Sequence, residues 1–250
     1  MARGLGTRGR FATAYLVLGA VVGVGVGSFL VLLQRDPPAP PPPWSSWRPT
    51  AADPGERMTE IANHVGRRYK LPSGNQLVSI QTQNSSNFQG VVVVKADNVR
   101  APDAQYGGDD TAVFLLCGAT KTCKIGEGQA TIARGTVLRR EALELALYTL
   151  EYADPIENVL IFFPPGPGEK RLTSTLFLRR DDLESTLEHP LRRTLPQAQP
   201  PLPGQIRPAE LKTVNDLTGD KRFKYLGTSQ NVIVIQPPRL GEAEQVGAGP

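Results

Sequence analysis

An α+β domain behind a membrane-spanning helix is the fold class this sequence predicts. Three observations carry that expectation. Residues 15–33 are apolar and hold no charge. Short runs rich in Val, Ile, Leu and Phe recur between turn residues, and two longer stretches place apolar residues at helical intervals. The chain has 250 residues. The expected layout is a short basic cytoplasmic tail (1–14), a transmembrane signal-anchor helix (15–33), a proline-rich stalk (34–52), one extracytoplasmic domain (53–236) and a disordered tail (237–250).

The apolar run, as a helix, is roughly 28 Å long, close to the ~30 Å of a bilayer's hydrocarbon core. Arg3, Arg8 and Arg10 precede it without an acidic residue, and only Arg35 and Asp36 follow closely. That asymmetry places the N-terminus in the cytoplasm. The run is longer than the apolar part of a usual signal peptide, and no small-x-small site closes it, so an uncleaved anchor is expected over a cleaved signal. Gly19, Gly23 and Gly27 line one helix face as overlapping G-x-x-x-G steps, a geometry for pairing two copies within the membrane. From Asp36 the chain becomes dense in proline through Pro43, which favours an extended polyproline spacer of roughly 20 Å. Trp44 and Trp47 follow, placed to meet lipid headgroups or to pack on the domain.

Beyond Asp36 the chain holds 24 basic and 23 acidic residues. This near-neutral, mixed surface lacks the clustered basic face that a nucleic-acid partner requires.

The domain opens with Asp53-Pro54-Gly55-Glu56, a helix start with Asp as N-cap and Pro in the first turn. Met58, Ile61, Ala62, Val65 and Tyr69 continue at helical spacing, so a helix over 56–69 is expected. His64 sits beside that stripe and reads as a boundary residue, since no partner for a ligand or base role is visible. A short strand is expected near 77–80. The triplet Asn84-Ser85-Ser86 fits a glycosylation sequon, relevant only in a eukaryotic secretory route. Four consecutive valines mark a buried strand at 90–95.

Residues 97–110 read as a loop carrying Asp97, Asp103, Asp109 and Asp110; their spacing fits no cation-binding template. Residues 111–117 form a second core strand, ending at Cys117. Cys123 lies six positions on, across a polar turn, and in an oxidising compartment the two are expected to close that turn as a disulfide.

The strongest soluble helix is expected at 137–152. Leu138, Ala142, Leu145, Ala146 and Thr149 face one way, Leu143, Leu147 and Leu150 widen the stripe, and Arg140, Glu144, Tyr148 and Glu151 form the polar edge. Such a stripe needs a sheet beneath it. Strands follow at 158–163 and 173–178 around a Pro/Gly-rich turn. That turn precedes a strand and has prolines without N–H donors, which excludes a phosphate cradle. A short helix over 182–188 has Asp181 and Asp182 at its positive end. Residues 195–208 form a proline-rich surface loop, 208–217 a helix, and 223–226 with 231–236 a hairpin. The sheet is expected to be mixed and mostly antiparallel, with the 137–152 helix packed on it.

Two histidines in 250 residues supply nucleophilic and metal chemistry poorly, and no G-x-S-x-G, P-loop, G-x-G-x-x-G, H-E-x-x-H or C-x-x-C motif occurs. No cofactor or metal is expected. The functional expectation is a single-pass protein presenting an interaction domain to a protein or polymer of the cell envelope. The alternative is a hydrolase working through carboxylates among Asp97, Asp109, Asp110 and Glu127.

Overall fold

The computed structural model describes residues 16–21, 43–83, 88–117, 127–165 and 171–238. The chain divides into two compact units, Met1–Pro42 and Pro43–Pro250. In the first, residues 16–21 are helical, with Leu16, Val17, Leu18 and Val21 exposed and open space around Gly19. Gly23, Gly27 and the proline-rich stretch through residue 42 lie outside the described residues. No helix among the described residues is long and apolar enough to cross a membrane.

The second unit is α+β, with helices packed on a mixed sheet that has eight strands among the described residues. The helices are α1 (Pro54–Arg68), α2 (Ile132–Tyr152), α3 (Arg180–Leu187), α4 (Leu191–Thr194) and α5 (Pro208–Thr218). The strands are β1 (Ser79–Gln83), β2 (Gly90–Val94), β3 (Pro102–Gly107), β4 (Thr111–Cys117), β5 (Asn158–Phe162), β6 (Ser174–Arg179), β7 (Arg222–Ser229) and β8 (Val232–Gln236). Their order across the sheet is β1-β4-β5-β6-β7-β8-β2-β3. The β4–β5 and β2–β8 pairings are parallel and the rest antiparallel.

Local chemistry sets the helix starts. The Asp53 side chain accepts the Glu56 N–H at 2.9 Å and caps α1, with Pro54 at the first turn. Thr131 caps α2 by accepting the Arg134 N–H at 3.2 Å, so that helix begins five residues before the expected Val137. Along α1 the buried positions are Met58, Ile61, Ala62, Val65 and Gly66, the spacing of one helical face.

Each core strand alternates between two apolar layers. Ala112, Phe114, Leu116, Val159, Ile161, Leu176 and Leu178 point into the helix layer. Val113, Leu160, Phe162 and Phe177 point into a second core with Val91, Val93, Ile233 and Ile235. That second core exists because the sheet curls. β3 is at one edge and β4 is next to the other, six strand spacings away, or about 29 Å in a flat sheet. Yet Gly108–Asp110 alone joins them, a link that spans at most ~15 Å from Gly107 to Thr111. The Thr111 hydroxyl even donates to the Gly107 carbonyl at 2.6 Å. The β2–β3 ribbon therefore folds back over the concave face, where Tyr106 of β3 lies 4.9 Å, ring to ring, from Phe177 of β6.

Strand β3 falls inside the segment expected to be a loop. Its sequence, Pro-Asp-Ala-Gln-Tyr-Gly, is poor in strand formers, and pairing with β2 holds it extended. The 195–208 stretch also departs from a plain surface loop: Leu195 and Pro201 are buried, and Gln197 meets the charged cluster described next.

Candidate functional site

Helix α2 is buried on every side from Arg140 to Leu150. The residues expected at its polar edge, Arg140, Glu144 and Tyr148, are the correction that matters most: all are buried. A charged side chain leaves water only against matched partners, and three other segments supply them. Arg140, 1% exposed, donates from Nε to Glu210 Oε1 of α5 at 2.5 Å, from Nη1 to Glu144 Oε2 at 3.0 Å and to the Tyr69 hydroxyl, and from Nη2 to the Gln197 carbonyl at 2.9 Å. The Tyr69 hydroxyl in turn donates to Glu144 Oε2 at 2.6 Å. Arg68, at the end of α1, binds Glu144 Oε1 and the Ala198 carbonyl. Glu210 Oε2 accepts the Gln197 N–H at 3.3 Å.

These contacts tie α1, α2, α5 and the 195–208 stretch together. Two guanidiniums, Arg68 and Arg140, meet two carboxylates, Glu144 and Glu210. Burial alone lowers the Arg140 pKa, but Tyr69, Glu144 and Glu210 outweigh it and hold the guanidinium above its ordinary value. Burial, then the Glu144 charge, pushes the Tyr69 phenol well above its usual range.

One turn away stands a group that nothing satisfies. Glu141 is 0% exposed, and neither carboxyl oxygen has a hydrogen-bond partner. Burial, reinforced by the Glu144 charge, drives its pKa far above the carboxylate range, against the opposing pull of Arg134 and Arg140. Arg134, also buried, donates to the carbonyls of Glu127 and, at 3.1 Å, Leu77, and its Nε is unpartnered.

Beside this cluster lies an aromatic clasp. Trp44 stands edge-on to Tyr148 and Tyr152, at 5.5 and 5.6 Å between ring centroids. Trp47 stacks flat on His64, at 3.8 Å and 4° between planes. The Trp44 carbonyl accepts the Leu191 N–H at 2.7 Å, and Glu60 accepts the N–H groups of Thr50 and Ala51 at 2.9 Å each. Both tryptophans pack on the domain, with His64 as the boundary residue between Trp47 and α1. Burial, then the Arg68 charge, holds the His64 pKa below its ordinary value.

No family model, curated protein or solved structure matches this chain.

Asp97, Asp109, Asp110 and Glu127 do not converge. Asp110 is at the Thr111 end of β4, where its carbonyl accepts the Glu157 and Asn158 N–H groups at 2.8 and 3.0 Å. Glu127 is at the Cys117 end, bound to Asn75 at 2.8 Å and, through its carbonyl, to Arg134. The strand between them is seven residues long, about 20 Å. Asp97 follows the Val94 end of β2, whereas Asp109 lies beside the Gly90 end. Hydrolysis by paired carboxylates calls for a separation of about 5–10 Å, which leaves Asp109 and Asp110 as the one close pair. Among the described residues no group of three or more His, Cys, Asp or Glu is placed to hold a metal ion. Cys117 is disulfide-bonded, and Cys123, the chain's other cysteine, lies outside the described residues.

The charged cluster had one signal in the sequence. Arg140 and Glu144 are spaced i, i+4, and, Glu141 apart, the residues between and after them, Ala142, Leu143 and Leu145–Leu147, are apolar around the whole helix. A helix apolar all round is a buried helix, and charges within it must find partners.

Proposed function

We propose that this chain is a single-pass membrane protein whose domain stands outside the membrane and acts by binding a partner of the cell envelope. The observation that carries this reading is the mutual pairing of the buried charges around Arg140. Arg140, Glu144, Glu210, Tyr69 and Arg68 engage one another across three segments of the domain, α1 with its C-cap, α2 and α5. These buried charges serve one another rather than a substrate, and of the acids of the hydrolase alternative only the sequence neighbours Asp109 and Asp110 lie at the same strand end. The uncharged run at 15–33, the arginines before it and the prolines after it support the anchor and its direction. A disulfide-bonded Cys117 fits an oxidising compartment. Gly19, Gly23 and Gly27 supply a face through which two anchors pair.

The test is made on the full chain carrying a C-terminal tag. Protease added to cells with a permeable outer layer removes the tag, while alkaline extraction leaves the protein with the membranes. A protected tag overturns the topology. A partner captured from native membranes is displaced by excess purified protein and persists in the Asp109→Asn, Asp110→Asn and Glu127→Gln variants. Loss of an envelope-degrading activity in those variants overturns the binding reading in favour of hydrolysis. Cross-linking of the Gly23→Ile variant at the wild-type level overturns anchor pairing.

A further inference from the structure

Glu141 has no role in the network around it. Helix α2 carries Arg134, Glu141 and Tyr148 at intervals of seven, two turns apart along one stripe. The Tyr148 end of that stripe faces α1, since its ring lies 5.5 Å from His64. The groups facing Glu141 are few. Its own helix brings Arg134, Arg140 and Glu144, and the end of α1 brings Tyr69. Arg68 of α1 and Glu210 of α5 are engaged with Glu144 and Arg140. Strand β5 carries no ionisable residue, β4 carries only the disulfide-bonded Cys117, and α3 meets α2 through Arg180 at the Leu150 carbonyl.

The charges of Arg68 and Arg140 are already matched by those of Glu144 and Glu210. A third anion at Glu141 would therefore stand beside Glu144, opposed by Arg134 and by an Arg140 whose charge Glu144 and Glu210 already match. Two nitrogens of Arg134 are committed to the Glu127 and Leu77 carbonyls. A neutral carboxyl is tolerated in such a place; a charged one is not.

We propose that Glu141 is a proton-held catch between α1 and α2: neutral while the helices are packed, and parting them when it ionises. The domain then has a closed form favoured by acid and an open form favoured by base. Opening separates the surfaces that carry His64 and Tyr148, which Trp47 touches together.

Trp44 and Trp47 are the chain's two tryptophans, so its emission reads this region directly. The full chain in detergent is titrated upward from neutral pH. Infrared difference spectra of wild type against E141Q show a protonated-carboxyl C=O band at neutral pH that fades as the pH rises. Tryptophan emission is expected to shift to the red over the same range in wild type and in H64Q, and to stay constant in E141Q and E141L, both of which are expected to fold. The proposal is overturned if wild type lacks the band at neutral pH, if E141Q shows the same red shift, or if the shift is absent from H64Q. Failure of both neutral variants to fold also overturns it, because a neutral side chain is what the closed interface is said to accept.

Discussion

Arg140 Nε and Glu210 Oε1 are 2.5 Å apart, with neither side chain more than 1% exposed. The pair joins the middle of α2 to the first turn of α5 across 70 residues of sequence. It also draws in Gln197, whose carbonyl binds Arg140 and whose N–H binds Glu210. A loop that would otherwise lie free on the surface is thus sewn to the helix layer by its own backbone.

Glu210→Ala leaves Arg140 buried with one carboxylate fewer, and an uncompensated buried charge costs about 3–5 kcal/mol. Urea unfolding is expected to show a loss of that size. The double variant Arg140→Met with Glu210→Leu is expected to lose less than Glu210→Ala alone, because no charge remains unmatched. A double variant weaker than the single one would mean that the pair contributes net attraction well beyond matching.

Acid is expected to loosen α3. Asp182 accepts from Arg179 at 2.8 and 2.9 Å and from Lys221 at 3.1 Å. Burial works against its charge, but the bonds from Arg179 and Lys221 prevail and hold its pKa below the usual carboxylate value. A lowered carboxylate pKa gives stability that is present above the unfolded-state pKa and fades as the pH falls through the folded value. Asp182→Asn is expected to lose about 1–2 kcal/mol at neutral pH and to flatten the acid limb of a stability–pH curve. An unchanged acid limb would exclude Asp182 as its source.

Trp47→Ala uncovers one face of His64. The His64 pKa is expected to rise toward the ordinary ~6.5 as the ring regains water, read from the imidazole proton shifts by NMR. Since the folded value is lowered, protonation opposes folding: stability is present above the unfolded-state pKa and is lost as the pH falls through the folded one. The variant is expected to show a weaker loss on that limb, and to be about 1–2 kcal/mol less stable overall from the missing stack. A His64 pKa that does not move would show that Arg68, not burial, sets it.

The turn between β7 and β8 holds Gln230 and Asn231 at φ 48° and 62°, both left-handed, as a two-residue type I′ hairpin loop requires. Glutamine lacks the adaptation that Asn and Gly bring to that region. Replacing the pair by Asn-Gly is expected to add about 0.5–1 kcal/mol, a rise in Tm of about 1–4 °C. Gln230→Val is expected to lower it. Equal Tm values for all three would show that the turn is not strained.

Much of the fold was legible because it rests on local chemistry. Asp53-Pro54 announces α1, the valine run announces β2, and the runs at 111–117, 158–162 and 232–236 were readable as core strands within a residue or two. β3 was not legible, since a strand of Pro-Asp-Ala-Gln-Tyr-Gly exists only through its partner β2. The charged cluster was hidden for a similar reason. Arg140 and Glu144 match the outer face of an amphipathic helix until Tyr69 and Glu210 are brought beside them, and no local pattern records those distances. Trp44 and Trp47 looked equally suited to lipid and to protein; the flat stack on His64 decides for protein.

Strand β2 runs parallel to β8, with Val91 against Ile233. During synthesis the β2–β3 ribbon therefore leaves the ribosome about 140 residues ahead of the strand that joins it to the rest of the sheet. At ~5–20 residues per second that is a wait of roughly 7–30 seconds. Through it, Val91 and Val93 await the β8 side chains that will cover them, and a chain halted before Val232 never delivers them. A chain that stops just short of Val232 would thus carry a nearly complete sheet with Val91 and Val93 uncovered, a product prone to clump with its neighbours.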